Sequence, residues 1–201
     1  MAKTALTDHA IHNTLAVRWS PYSFSNQPVA RADLAALFEA ARWAPSSYNE
    51  QPWRYIVGMA DADGDDDTHD RILKVLAEPN QAWARHVPVL ALGVVTHEFA
   101  ASGQTNKAAI HDLGLASGNL VVEATTRGLS VHQMIGLDAA AAAKSFDVPD
   151  GSEVLTALAI GYADRGPSAD PEFRKRDSKP RSRNSIGEFV FSGRYGQSAL
   201  F

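Results

Sequence analysis

Two predominantly apolar runs, Val87–Val95 and Val154–Ile160, constrain the fold of this chain more than any other feature. Each has the length of a strand and falls far short of the roughly 20 residues that a membrane-spanning helix needs. They read as strands buried in a core, the second extending to Tyr162. Pro88 must then stand at the beginning of the first, because proline removes a ladder donor. Around these runs the apolar residues change to helical spacing. Arg31–Trp43 places Leu34, Leu37, Phe38 and Ala41 along one stripe. Thr7–Val17, with Thr7 or Asp8 as its cap, Lys107–Arg127 and Ala139–Phe146 are further helical stretches. Arg54–Gly58 and Leu129–Met134 read as shorter strands. Helices interleaved with strands predict an α/β or α+β sandwich built on a mixed sheet, and α+β is the class expected here. At 201 residues, without an internal repeat or a long linker, the chain is expected to form one domain over 1–201. Polar and basic residues dominate from Asp164 onward, so 164–201 reads as a C-terminal extension lying over a surface.

Composition removes several chemistries. The chain has no cysteine, which excludes disulfides, thiolate nucleophiles and cysteine metal sites. A net charge of −4 argues against general nucleic-acid binding, and the basic run Arg174–Arg183 lacks the interleaved aromatics that such binding uses. The first thirty residues contain no apolar block suited to a signal peptide, and no run suits a membrane span, so the cytoplasm is the expected location. Asp61–Asp67 looks like a calcium loop, but glycine is needed at its sixth place and a carboxylate at its twelfth. Those places hold Asp66 and Ile72, which favours a solvated acidic loop that caps the next helix at Asp67 or Thr68. His9-x-x-His12 has no carboxylate cluster beside it and is weak as a metal site.

The segment from Ala44 to Trp53 is where function concentrates. Pro45 and Pro52 each lack a backbone donor and turn the preceding residue away from helix, so the loop is stiff. A stiff loop presenting Ser46, Ser47, Asn49 and Gln51 can hydrogen-bond a polar, planar ligand at small entropic cost. An ordinary helix-to-strand connection is the rival reading of this loop alone. Within Lys107–Arg127, Gly114, Ser117, Gly118 and Val121 keep to one side. Each helical glycine costs about 1 kcal/mol relative to alanine. A second backbone or a flat ring packed there would explain that cost, as would close packing inside a monomer.

Four segments in order carry a family resemblance. Ala44–Trp53 resembles the A-P-S-x-x-N-x-Q-P-W signature of the nitroreductases, which are FMN-dependent oxidoreductases. Arg18-Trp19-Ser20 resembles their first flavin-binding motif. The run from Asp112 to Leu120, with Gly128-Leu129 after it, resembles their central helix. Arg181-Ser182-Arg183 resembles their basic C-terminal motif. The resemblance extends from about residue 11 to 196. It implies a central sheet with helices on both faces in an intertwined homodimer. The long helix would lie at the dimer axis, and the C-terminal extension would wrap the partner.

The same resemblance implies the site. Arg18, Arg181 and Arg183 would pair with the FMN phosphate, since guanidinium groups match phosphate oxygens and keep their charge near neutrality. Ser20 and Asn80 would bond the ribityl chain or the ring edge, Tyr22 would stand near flavin N1 and O2, and Trp19 is a further cofactor-binding position. Gln133, Met134, Ile135 and Gly136 would offer main-chain contacts near flavin N5. Pro45, Ser46, Ser47 and Asn49 would reach the flavin from the other subunit. The implied activity is ping-pong transfer of hydride from NADH or NADPH through the flavin to a small acceptor such as a nitroaromatic or quinone. No catalytic side chain is required. Rivals are a flavin-binding or flavin-sequestering protein without catalysis, and a dehalogenase or flavin-cleaving enzyme on the same scaffold. Arg18 has a second reading as a helix C-terminal cap, His132 as a structural histidine, and Trp53 as a core anchor. One departure stands out: many members carry a lysine or arginine where this chain has Tyr22. The 97–107 segment is also short and polar where many relatives insert helices, which predicts a more open ring face.

Overall fold

The computed structural model describes residues 3–60, 66–166 and 169–199. Asp61, Asp63 and Asp65 of the acidic loop therefore lie outside the described residues. Asp66 is described, and its carboxylate accepts from the Thr68 backbone N–H (2.9 Å) where the next helix starts.

Four strands form the sheet: β1 (Trp53–Met59), β2 (Val89–Thr96), β3 (Ser130–Met134) and β4 (Ser152–Gly161). Their order is β1-β2-β4-β3. The two apolar runs are its central strands, and Pro88 stands just before β2, as a residue without a donor must. Every strand pair is antiparallel, where a mixed sheet was expected. Strands buried on both faces show the same continuous apolar pattern in either orientation, so composition does not reveal direction.

Alternate residues of β2 enter two cores. Val89, Ala91 and Val95 pack on one face with α2 (Arg31–Arg42) and α5 (Ala109–Thr126). Leu90, Leu92 and Val94 pack on the other with α3 (Thr68–Val75), α4 (Glu78–Ala84) and α6 (Ala139–Ser145). This is an α+β sandwich with helices on both faces. Among the described residues no helix is long and apolar enough to cross a membrane. Gly58 lets α3 approach β1: an added Cβ would lie 2.3 Å from the His69 backbone nitrogen. The buried His69 ring then reaches Val87 O (2.9 Å) and ties α3 to the lead-in of β2.

The first helix is shorter than its pattern predicted. α1 spans Asn13–Val17, and its first turn is capped by the His12 ring, not by Thr7 or Asp8. Residues 7–13 are exposed, so no burial supplements the modest helix propensity of Thr, Asp and His. Two helices opened by proline, α4 and α7 (Pro171–Asp177), occupy stretches not predicted as helical. Trp53 is buried, as a core anchor should be.

Candidate functional site

Arg18 follows α1 directly and its backbone closes that helix by donating to Thr14 O (3.1 Å), so it does act as the C-terminal cap. Its side chain has a separate role. It is held half-buried with Nη1 3.4 Å from Ser20 Oγ. Burial lowers its pKa, and the nearby charges of Arg181 and Arg183 lower it further. Arg181 is depressed in the same way, by burial and then by Arg183. Its Nη1 donates to Lys3 O (2.8 Å) and Ala16 O (2.6 Å), which fastens the C-terminal segment to the end of α1. Among the described residues no ion pair involves Arg18, Arg181 or Arg183. Three guanidinium groups that repel one another and have no carboxylate partner could hold an anion.

The elements around this cradle are locked by a cluster of rings. His132 of β3 donates through Nδ1 to Pro21 O (2.7 Å), which joins β3 to the Arg18–Tyr22 segment. The His132 ring lies 4.6 Å from Trp83 of α4 and 4.8 Å from Tyr22. Burial lowers the His132 pKa, so the ring is neutral near neutral pH, and its hydrogen bond positions the chain. Asp177, the one carboxylate in a basic run, accepts from the Tyr22 backbone N–H (2.9 Å) and from that of Ser23 (2.8 Å). Arg176 stands 3.9 Å above the Tyr22 ring, so a cation occupies that neighbourhood although residue 22 supplies none.

At the end of β3, Met134 is buried and Ile135 is 81% exposed. Gln133 is exposed. Thr156 Oγ1 donates to Met134 O (2.9 Å) close to the register shift between Gly93 and Val94. Gly136 O accepts from Asn80 Nδ2 (3.0 Å) and from the Ala77 backbone N–H (2.9 Å). A Cβ on Gly136 would meet Asn80 Nδ2 at 2.8 Å, so glycine permits that pairing. Arg18, Ser20, Tyr22, Asn80, residues 133–136 and Arg181 thus belong to one connected scaffold. Trp19 is buried at its flank, with Lys3 Nζ 4.7 Å and the Arg165 guanidinium 5.3 Å from its ring.

The signature loop stands apart. Ser47–Asn49 form a 3-10 turn in which Tyr48 (φ 52°) and Asn49 (φ 57°) are left-handed, and Gln51 (φ 52°) follows. Non-glycine residues held there cost about 1–3 kcal/mol each. Three hydrogen bonds hold them in place. Ser46 Oγ accepts from the Gln51 backbone N–H (3.0 Å), Gln51 Nε2 donates to Asn49 O (3.0 Å), and the Ser47 backbone N–H donates to Asp112 Oδ2 (3.0 Å). Asp112, on α5, is 2% exposed. Pro45 and Asn49 are exposed, and Tyr48 is 91% exposed. Among the described residues no hydrogen bond or ion pair joins Ser46, Ser47 or Asn49 to the arginine cradle. The neighbouring 97–107 segment folds back on itself, with Phe99 O accepting from Gly103 and Phe99 N–H donating to Gln104 O.

The glycines of α5 face outward. Nothing lies within 4 Å of a Cβ built on Gly114 or Gly118, so close packing inside the monomer does not explain them. Ile110 and Val122, on the same helix, are also exposed. From Ser182 to Ala199 no residue is buried, and Phe189 and Tyr195 are largely uncovered.

Sequence reasoning gave no role to Trp83 and missed Asp177 and Arg176. A lone carboxylate within Arg174–Lys179 was the available signal for Asp177. Trp83 offered none, because its partners are distant in sequence.

The chain is similar to known proteins in sequence and in fold. The nitroreductase family model matches residues 15–162. An uncharacterised 15.4 kDa protein encoded in the ask 5′ region of Mycolicibacterium smegmatis is 33% identical over 147 residues, covering 71% of this chain and 97% of that protein. A solved structure described as an oxidoreductase containing FMN superposes with a TM-score of 0.87 at 26% identity, covering 96% of both chains. The fold is shared with a mutant form of the FMN- and NADPH-dependent nitroreductase NfnB from a Sphigopyxis strain. There the TM-score is 0.65 at 21% identity, over 90% of this chain and 98% of that one. With the family model covering most of its length, the chain belongs to the nitroreductase family.

Proposed function

We propose that this protein is an FMN-dependent oxidoreductase whose two sites are built between the subunits of a homodimer. The observation that carries the reading is the trio Arg18, Arg181 and Arg183, mutually repelling and without a carboxylate partner. A phosphate dianion relieves that repulsion and accepts bidentate hydrogen bonds from guanidinium groups, so the residues present fit the FMN phosphate. Ser20 and Asn80 would bond the ribityl chain and the ring edge. The main chain of Gln133–Gly136 would line the reactive edge, and Tyr22 would border the ring. When bound, FMN supplies a two-electron carrier that takes hydride from NADH or NADPH and gives it to a small acceptor such as a nitroaromatic or quinone.

The chain's own residues then bind, orient and exclude water. Rigidity matters most, because no side chain has to move a proton. The ring cluster of Tyr22, Trp83 and His132 fixes the spacing between cradle and β3, so the stacking geometry is set before a substrate arrives. Arginine charge beside the site favours the negative charge that a reduced flavin carries.

The homodimer accounts for the exposed glycine stripe of α5, which needs a closely approaching backbone, and for the uncovered tail, which would wrap the partner as an extension over 164–201. It also explains why the Ser46–Asn49 loop stands apart from the cradle of its own chain. The loop would close over the partner's flavin.

A visible spectrum of the purified protein tests the cofactor, and anaerobic addition of NADPH or NADH tests the chemistry. A flavin band that bleaches on addition and returns with a nitroaromatic or quinone is expected. A colourless protein that ignores added FMN would overturn the reading, and a yellow protein that never bleaches would leave only flavin binding.

A further inference from the structure

The signature loop and the segment after β2 are joined into one unit. Residues 97–107 fold back as a hairpin. Glu98 and Thr105 form an antiparallel bridge, and the Asn106 backbone N–H donates to His97 O (2.7 Å). The tip of this hairpin is fastened to the loop twice. Glu50 Oε1 accepts from the Ala100 backbone N–H (2.7 Å), and the Phe99 ring meets the Tyr48 ring edge-on with centroids 5.8 Å apart.

Tyr48 is the unusual member of this unit. A bulky residue in the left-handed region is a strained outlier, and Tyr48 stands there at φ 52°. Its ring is 91% exposed, so within one chain the strain is not offset by burial. Phe99 is half-buried and supports the ring from one side, which leaves the rest of the Tyr48 surface open. Strain of this kind gathers at functional positions, where the surrounding structure holds a side chain in a set pose. The pose here is an aromatic ring held outward on a braced loop.

The chemistry of the unit narrows what it meets. Between Ala44 and Trp53 the one charged residue is Glu50, and its carboxylate is taken up by Ala100. The exposed group is therefore a ring without a formal charge beside it on the loop. Aromatic rings pair with other flat rings by offset stacking or edge-to-face contact, and such pairs favour a neutral aromatic ligand over a saturated one.

We propose that Tyr48, backed by Phe99, is a specificity residue that walls the acceptor pocket over the partner's flavin and selects flat, neutral aromatic acceptors. The assignment rests on the loop closing over the partner's flavin, as proposed above. The hairpin acts through Tyr48: Phe99 and the Glu50–Ala100 bond keep its ring from folding back onto its own chain.

The experiment titrates oxidised, FMN-loaded protein with nitrobenzene, which oxidised flavin cannot reduce, and reads binding from the perturbation of the visible flavin band. Nitrocyclohexane, with the nitro group but no aromatic face, is the companion ligand. Tyr48→Ala should weaken nitrobenzene binding about 3- to 10-fold, and Tyr48→Phe, which keeps the ring, by less than about 2-fold. Phe99→Ala should weaken it about 2- to 3-fold through loss of the edge contact. Nitrocyclohexane binding should barely change in any of them. FMN affinity is measured on the same samples. Equal nitrobenzene binding in the parent and Tyr48→Ala would overturn the assignment. An equal loss for both ligands, or a parallel fall in FMN affinity, would also overturn it and make Tyr48 a support of the loop. A protein that takes up no FMN fails before the titration begins, and that result refutes the flavin reading itself.

Discussion

The arginine cradle and the proline-stiffened loop are built on opposite plans. The cradle gathers residues from 18 to 183 and is fixed by contacts distant in sequence: Pro21 to His132, Tyr22 to Asp177, Asn80 to Gly136, Ala16 to Arg181. The loop lies within Ala44–Trp53 and is braced mainly by its own hydrogen bonds, with Asp112 as its tether to α5. One is a product of the whole fold, the other a local device carrying backbone strain. The difference shows how a binding site can be divided. A cradle needs a scaffold behind it, whereas a strained, rigid loop can be presented outward to another chain.

The most drastic way to break this division is to block the subunit contact. Gly118→Leu adds a side chain that meets open space in a single chain, so each chain should fold with equal or greater stability. Sedimentation should nevertheless show monomers, with flavin binding lost. A dimer that keeps its flavin would mean that α5 is not at the contact. Arg18→Ala acts on the cradle alone. Losing one charge-assisted contact to phosphate, worth about 1.5–3 kcal/mol, should weaken FMN binding roughly 10- to 100-fold in a fluorescence titration. The dimer should persist, and unchanged affinity would remove Arg18 from the phosphate site.

Asp112→Ala acts on the loop. It deprives the Ser47 N–H of a buried charged acceptor, and urea unfolding should register a loss of about 1.5–3 kcal/mol. FMN affinity should fall less than in Arg18→Ala, since the loop meets the ring and not the phosphate. An undisturbed midpoint would show that the tether carries no stability.

The mildest effect concerns the bond that holds the cradle to β3. Burial places the pKa of folded His132 below its ordinary 6.5, so the unfolded chain binds a proton that the folded chain refuses. Stability should therefore be complete above pH 6.5 and decline as pH falls toward the folded value. The contribution of this one group cannot exceed about 1.4 kcal/mol per pH unit. Unfolding measured from about pH 7 to about pH 5, the range around the ordinary histidine value, should show a shallower slope in His132→Gln than in the parent. Identical slopes would mean that His132 is not the titrating group.

Much of this molecule is legible in its sequence. The apolar runs became the central strands because continuous burial leaves a continuous pattern, and the stripe through Leu34, Leu37 and Ala41 became α2. Strand direction was hidden, since no residue at a buried position encodes it. α1 came out short because exposed helical pattern without burial does not hold. The loop was readable from Pro45, Pro52 and their polar neighbours, although its left-handed residues, Tyr48 among them, were not. The arginine trio was visible only as separate motifs. Residue types could not say that Asp177 would clamp Tyr22 across 155 positions, or that Trp83 would lock α4 to β3.

The sharing of each site between two chains is decided by a mixed dimer. One chain carries Arg18→Ala together with Arg181→Ala; the other carries Ser46→Ala together with Asn49→Ala. Separate tags isolate the heterodimer, and FMN binding is titrated. If each site joins the cradle of one chain to the loop of its partner, both defects fall on the same site and the other is intact. One FMN per dimer should then bind with parental affinity, while neither homodimer does so. If cradle and loop of the same chain form the site, every site carries one defect, and the absence of any parental-affinity site would refute a site shared between subunits.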